Sequence, residues 1–157
     1  MKALLNCLVV VAIAAAAPAW AAGGRDPAPA TPEDPVIEKT RAAIAGRDWK
    51  RAQEILRDGV ARNPENADYH NLFAYSIRMG ANPQMDLVFR HYNEALRLDA
   101  NHRGAHEYLG EAYLMTGNLT KAKDHLKVLD RLCVFPCDEY TMLKKAVAEY
   151  EAKQASK

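Results

Sequence analysis

Apolar residues recur at intervals of three and four from Val36 onward, and turn-forming residues interrupt them at regular distances. That spacing gathers the apolar side chains on one stripe of an α-helix. The pattern predicts helices over 36–46, 49–62, 65–80, 83–98, 103–116, 119–131 and 138–153. Asn63-Pro64, Asn82-Pro83 and Asn118-Leu119 read as helix starts, with Asn as N-cap and Pro at the first helical position in two of them.

The helices repeat as well as alternate. Val88 and Ala122, Tyr92 and Leu126, Ala95 and Leu129, and Leu109 and Leu143 are each 34 residues apart. One repeat earlier, Ala52 and Val88, Leu56 and Tyr92, Gly59 and Ala95, and Phe73 and Leu109 are each 36 apart, the two extra residues falling near Gly80-Ala81-Asn82-Pro83. One helical hairpin cannot bury its own apolar face, so such units stack on their neighbours. Small residues at Gly110, Ala112 and Ala122 permit close helix approach, with Tyr113, Leu126 and Leu129 filling the gaps.

A 34-residue period of paired helices resembles the tetratricopeptide-repeat family. The clearest copy is 103–136, where Leu109-Gly110 and Tyr113 match the first helix, Gly117 the turn, and Ala122, Leu126 and Leu129 the second helix. His106 stands where the family usually has Trp, and Val134 where it usually has Pro. The copy at 67–102 keeps Phe73, Ala74, Val88, Tyr92 and Ala95; the copy at 33–66 keeps Gly46, Trp49, Ala52, Leu56 and Pro64. Residues 137–154 begin a fourth repeat, whose Leu143, Val147 and Tyr150 would cover the open end. The resemblance implies an all-α helix-turn-helix solenoid over 36–154, with about three repeats and a capping helix.

The N-terminal segment has a different character. Lys2 is the only charge before Arg25, Cys7 to Ala17 is small and apolar, and Ala19-Trp20-Ala21 follows Pro18. Residues 1–21 therefore read as a secretory signal cleaved near Ala21, too short for a comfortable membrane span, with an uncleaved N-terminal anchor as the alternative; the short charged start and alanine-rich core look bacterial and point to the periplasm. Residues 22–35 hold Gly23, Gly24, Pro27, Pro29, Pro32 and Pro35 and read as a flexible leader. The 157 residues carry a formal charge of +1, and 49% are apolar, a globular balance. Losing Lys2 leaves a neutral chain, and nothing in it forms the basic stripe of a nucleic-acid binder.

In this family the first helices of successive repeats line a concave face that binds a peptide or partner protein. Carried over by alignment, that face holds Asn71, Tyr75, Arg78 and Met79, then Glu107, Tyr108, Glu111, Leu114 and Met115, with Lys145 from the cap. Tyr, Arg and Met offer large, adaptable contact area, and Asn71 can both donate and accept. Glu107 and Glu111 share a helix face and would favour a basic ligand. They depart from the family's carboxylate-gripping clamps, which use several Lys, Arg and Asn residues.

Cys133 and Cys137 remain after cleavage and bracket the turn before the cap helix. An even pair in an exported chain favours a structural disulfide, with a redox dithiol or metal site as the alternative. His102 and His106 are four apart at a helix start but lack a third ligand, while His70, His91 and His125 fall on separate helices with no evident constellation. Gly-x-Ser-x-Gly, Gly-x-x-x-x-Gly-Lys and Gly-x-Gly-x-x-Gly are missing from the sequence. The expectation is a non-catalytic scaffold or adaptor in the cell envelope that needs no metal or cofactor and docks an unknown protein or peptide. Self-association is the competing structural reading.

Overall fold

A computed structural model describes residues 34–135 and 137–156 of the chain. The expectations of a signal over 1–21 and of a leader over 22–33 lie outside these residues. Among the described residues seven helices follow one another: α1 (Pro35–Ala45), α2 (Trp49–Arg62), α3 (Ala67–Arg78), α4 (Met85–Leu98), α5 (Arg103–Met115), α6 (Leu119–Leu132) and α7 (Asp138–Ala155). Among the described residues there is no strand. None of the helices is long and apolar enough to cross a membrane.

Side chains that satisfy the free backbone N–H groups start most of these helices. Asp34 accepts from the Val36 N–H at 2.8 Å, Asp48 from Arg51 at 2.9 Å, Asn66 from Tyr69 at 3.0 Å and Asn118 from Lys121 at 3.1 Å. Asn118 caps as the sequence predicts; Asn63 and Asn82 do not. Asn63 ends α2, because Pro64 and Glu65 form a turn whose Pro64 carbonyl is taken by the His70 ring at 2.9 Å. Asn82 and Pro83 lie in the lengthened turn before α4, which begins at Met85 without a side-chain cap. At the N-terminal end Asp34 and Pro35 belong to the start of α1 and not to a leader. The Tyr69 hydroxyl on α3 donates to Asp34 at 2.7 Å, which ties this cap to the next repeat.

The turn glycine of the first repeat is also displaced from its expected place. Gly46 has φ −77°, and Arg47 takes the left-handed conformation at φ 56°. Arg47 is the repeat equivalent of Gly117, at φ 81° between α5 and α6.

Consecutive helices pair as antiparallel hairpins, and α7 packs on both α5 and α6. The helices α1, α3, α5 and α7 also approach one another in series, whereas among the described residues the backbones of α2, α4 and α6 stay apart. The first row is therefore the inside of a curved stack. The core runs between the rows, and Leu56, Val88, Tyr92, Leu109, Leu129 and Leu143 are fully buried. Gly110 sets the fit of the cap: a Cβ there would stand 2.6 Å from Cδ2 of Leu143. Cys133 ends α6, Cys137 precedes α7, and their Cα atoms are 5.8 Å apart, within disulfide reach.

Candidate functional site: the inner face of α3 and α5

The inner row carries most of the residues expected on the concave face, but it sorts them by depth. Asn71, Arg78, Glu107 and Leu114 are buried, Tyr75, Tyr108 and Glu111 are half-buried, and only Met79 and Met115 stand well out, at 42% and 53% exposed. The sequence treats this face as a uniformly accessible surface. Curvature instead draws α3 and α5 together and sinks their facing residues into a floor.

Arg78 organises that floor. Its guanidinium donates to Glu111 at 2.7 Å, to the Tyr92 hydroxyl at 3.4 Å and to the Met115 sulfur at 3.8 Å. It also lies 5.4 and 5.7 Å from the ring centres of Tyr75 and Tyr108. The two rings pack 4.6 Å apart, and Trp49 meets Tyr75 edge-on at 6.0 Å. A buried cation needs such compensation on every side. Tyr92 comes from the outer helix α4, so a hairpin partner supplies part of the site. Alignment of inner-helix positions alone does not find it.

Two polar groups on this floor have no such compensation. Asn71 is 5% exposed, and its Oδ1 is buried without a hydrogen-bond partner. An unpaired buried acceptor costs about 1–3 kcal/mol. Glu107 occupies the same repeat position on α5, is 7% exposed, and accepts no hydrogen bond among the described residues. Burial pushes its carboxyl up to about 8, and the neighbouring Glu111, Glu139 and Asp138 add to the rise against the pull of Arg78. Lys145 does not join the group: it is exposed on α7 with its ammonium 3.9 Å from Glu149.

The histidines form a constellation that the sequence reading misses. His70 on α3 and His91 on α4 meet Nδ1 to Nδ1 at 2.9 Å, and His106 on α5 and His125 on α6 do the same at 2.9 Å. The Nε2 atoms of His70 and His106 lie 2.9 and 3.0 Å from the carbonyls of Pro64 and Ala100. A carbonyl only accepts, so each of those Nε2 atoms carries its proton, and Nδ1 accepts from the partner ring. The recurrence was readable: 70 to 106 is the 36-residue period of the first helices and 91 to 125 the 34-residue period of the second. His102 caps α5 through Nδ1 and reaches Asp68 at 3.2 Å. Among the described residues no three His, Cys, Asp or Glu side chains gather around a possible metal position.

No protein-family model matches the sequence, and a search of curated proteins finds no match. Solved structures do match. The Yersinia enterocolitica type III secretion translocator chaperone SycD superposes with a TM-score of 0.66 at 13% identity, over 76% of this chain and 83% of that one. The TPR2B domain of yeast Sti1, solved as a complex with pHsp70, gives 0.66 at 14% identity over 75% and 94%. PcrH in complex with the chaperone binding region of PopD gives 0.62 at 16% identity over 77% and 90%. At these identities the likeness establishes architecture alone, and with the in-phase periods and paired helices it leads to one conclusion: this chain has the tetratricopeptide-repeat fold.

Proposed function

We propose that this protein is a non-catalytic adaptor of the bacterial cell envelope that holds an extended segment or helix of a partner protein against the inner face of α3 and α5. The observation that carries the reading is the floor itself. The buried Asn71 Oδ1 has no hydrogen-bond partner, Glu107 accepts no hydrogen bond among the described residues, and Met79 and Met115 stand exposed on the same face. A ligand would supply the missing partners and cover the methionines, which suit interfaces because they repack easily. SycD has been solved with a peptide of the translocator YopD, and PcrH with the chaperone binding region of PopD, so neighbours of this architecture take peptide segments.

The envelope assignment rests on the signal-like 1–21 segment and on the cysteines. A Cys133–Cys137 bond persists only in an oxidising compartment and would staple α7, the end of the solenoid most prone to fray, to the last full repeat.

Placing a photo-crosslinking residue at Met115, with a matched one at exposed Lys50 on α2, tests the reading in the native host. One protein captured from Met115 and not from Lys50 supports it. Equal capture from both positions, or none, overturns the inner face as the docking surface. Cell fractionation and counting of free thiols test the location: a cytoplasmic protein with two reactive thiols would refute it.

A further inference from the structure

We infer that the ligand of this inner face presents a basic side chain, a lysine or arginine, to Glu107, with Asn71, at the equivalent position one repeat earlier, as a neutral acceptor. The inference rests on the inner face being a peptide site and names what that site selects.

Charge inventory comes first. Four carboxylates converge on this end of the face: Glu107 and Glu111 from α5, and Asp138 and Glu139 from the first turn of α7. Two guanidinium groups answer them. Arg78 is committed to Glu111 and Tyr92, and Arg103 lies 3.6 Å from Glu139. Glu107 is left as a buried carboxyl with no cation and no hydrogen bond of its own among the described residues. Burial without compensation favours the neutral acid at Glu107, and an incoming positive charge would favour its ionised form.

Asn71 makes an independent case. It sits at the equivalent position one repeat earlier, its Oδ1 is buried without a partner, and its amide lies beside Gly104 at the start of α5. A Cβ on Gly104 would stand 3.3 Å from the Asn71 Nδ2, so the residue that begins this wall leaves room for the amide. Asn71 Oδ1 accepts hydrogen bonds, as does the Glu107 carboxylate once a neighbouring cation favours its ionised form, and a lysine ammonium or arginine guanidinium only donates.

The same face of α3 and α5 already holds a cation. The Tyr75 and Tyr108 rings hold Arg78 at 5.4 and 5.7 Å, and aromatic faces attract positive charge. An acidic segment or a free C-terminal carboxylate would instead add a further acid to a face that already carries four carboxyl groups. The α7 N-terminus does not reverse this balance, because its own Asp138 and Glu139 already occupy the first turn.

The test uses the purified processed protein and four capped peptides, acetyl-Ala-Leu-X-Leu-Ala-amide, with X as Lys, Arg, norleucine or Glu. Affinity is read from titrations of the Asn71 side-chain amide and the Tyr75 and Tyr108 ring signals. The Lys and Arg peptides should bind about tenfold tighter than the norleucine peptide, the scale of a hydrogen bond to a charged group, and the Glu peptide should bind weakest. Glu107→Gln should erase the preference for Lys over norleucine, and Asp138→Asn, on an exposed position, should reduce it. Equal binding of the Lys and norleucine peptides overturns the inference, as does a preference that survives Glu107→Gln, or a failure of all four peptides to bind. The crosslink from Met115 is independent of ligand charge. A partner captured there alongside charge-blind peptide binding would sink this inference and leave the inner-face reading standing.

Discussion

Arg78 on α3 and Glu111 on α5 form a 2.7 Å ion pair across two successive repeats, and the arginine side chain is only 6% exposed. This contact seats α3 against α5 and fixes the position of the tyrosines around it. Because the pair is buried on one side, its two members are not equivalent, and removing one is costlier than removing both.

Arg78→Met should therefore destabilise the protein by about 3 kcal/mol, since Glu111 is left partly buried without its cation. The double variant Arg78→Met with Glu111→Leu should be more stable than Arg78→Met alone. Chemical denaturation of the single and double variants measures this, and additive losses would contradict it.

The histidine pairs predict acid sensitivity. Burial and the neighbouring His70 hold His91 down to about 4, and burial with His106 does the same for His125. An unfolded histidine titrates near 6.5, so the unfolded chain binds more protons between about 6.5 and 4, and stability is lost as pH falls through that window. Each pair should contribute on the order of 1–2 kcal/mol to the loss. His91→Gln and His125→Gln should each flatten the pH dependence of the melting temperature, and the double variant should flatten it further. Nitrogen spectra near neutral pH should show Nδ1–H rings at His91 and His125 and Nε2–H rings at His70 and His106.

Glu107 gives a slope of the opposite sign. Its folded value of about 8 lies above that of an unfolded glutamate, so the folded state holds the proton more tightly. Its contribution to stability is full at low pH and is lost as pH rises toward 8. Glu107→Gln should match the wild type near pH 5 and exceed it at pH 8.5 in thermal unfolding. A constant difference across that range would contradict the assignment.

Gly110→Ala should cost about 1–3 kcal/mol, because the new methyl group drives into the fully buried Leu143 of α7. Pairing it with Leu143→Ala should cost less than the sum of the single changes, since each relieves the other. Denaturant midpoints of the three variants provide the measurement.

Arg47→Gly should stabilise the protein by about 0.5–1 kcal/mol, because Arg47 holds a left-handed backbone that glycine adopts freely. The reciprocal change at its repeat equivalent, Gly117→Ala, should destabilise by about 1 kcal/mol. Calorimetric melting of both variants checks the pair.

Much of this architecture was legible in the chain. The spacing of Val88, Tyr92 and Ala95 against Ala122, Leu126 and Leu129 determined helix, hairpin and repeat, because a period must be satisfied by every copy before any can bury its face. Local signals were less secure. Asn63-Pro64 and Asn118-Leu119 look alike, yet only Asn118 caps a helix, because Asn63 still closes α2 and Asn66 takes the cap of α3. Gly46 looked like the turn glycine, but the chain places Arg47 there.

The candidate site divides in the same way. Sequence alignment put Asn71, Tyr75, Arg78, Glu107, Tyr108 and Glu111 on the inner row, since position within a repeat fixes the face of a helix. How deep each lies was decided by how closely α3 and α5 approach, a property of the stacked whole that no single helix carries. That approach buries Arg78 and leaves the Asn71 Oδ1 without a partner among the described residues, and it brings in Tyr92 from the outer row. The histidine pairs are tertiary for the same reason: each joins two helices whose register is set only when the hairpin closes.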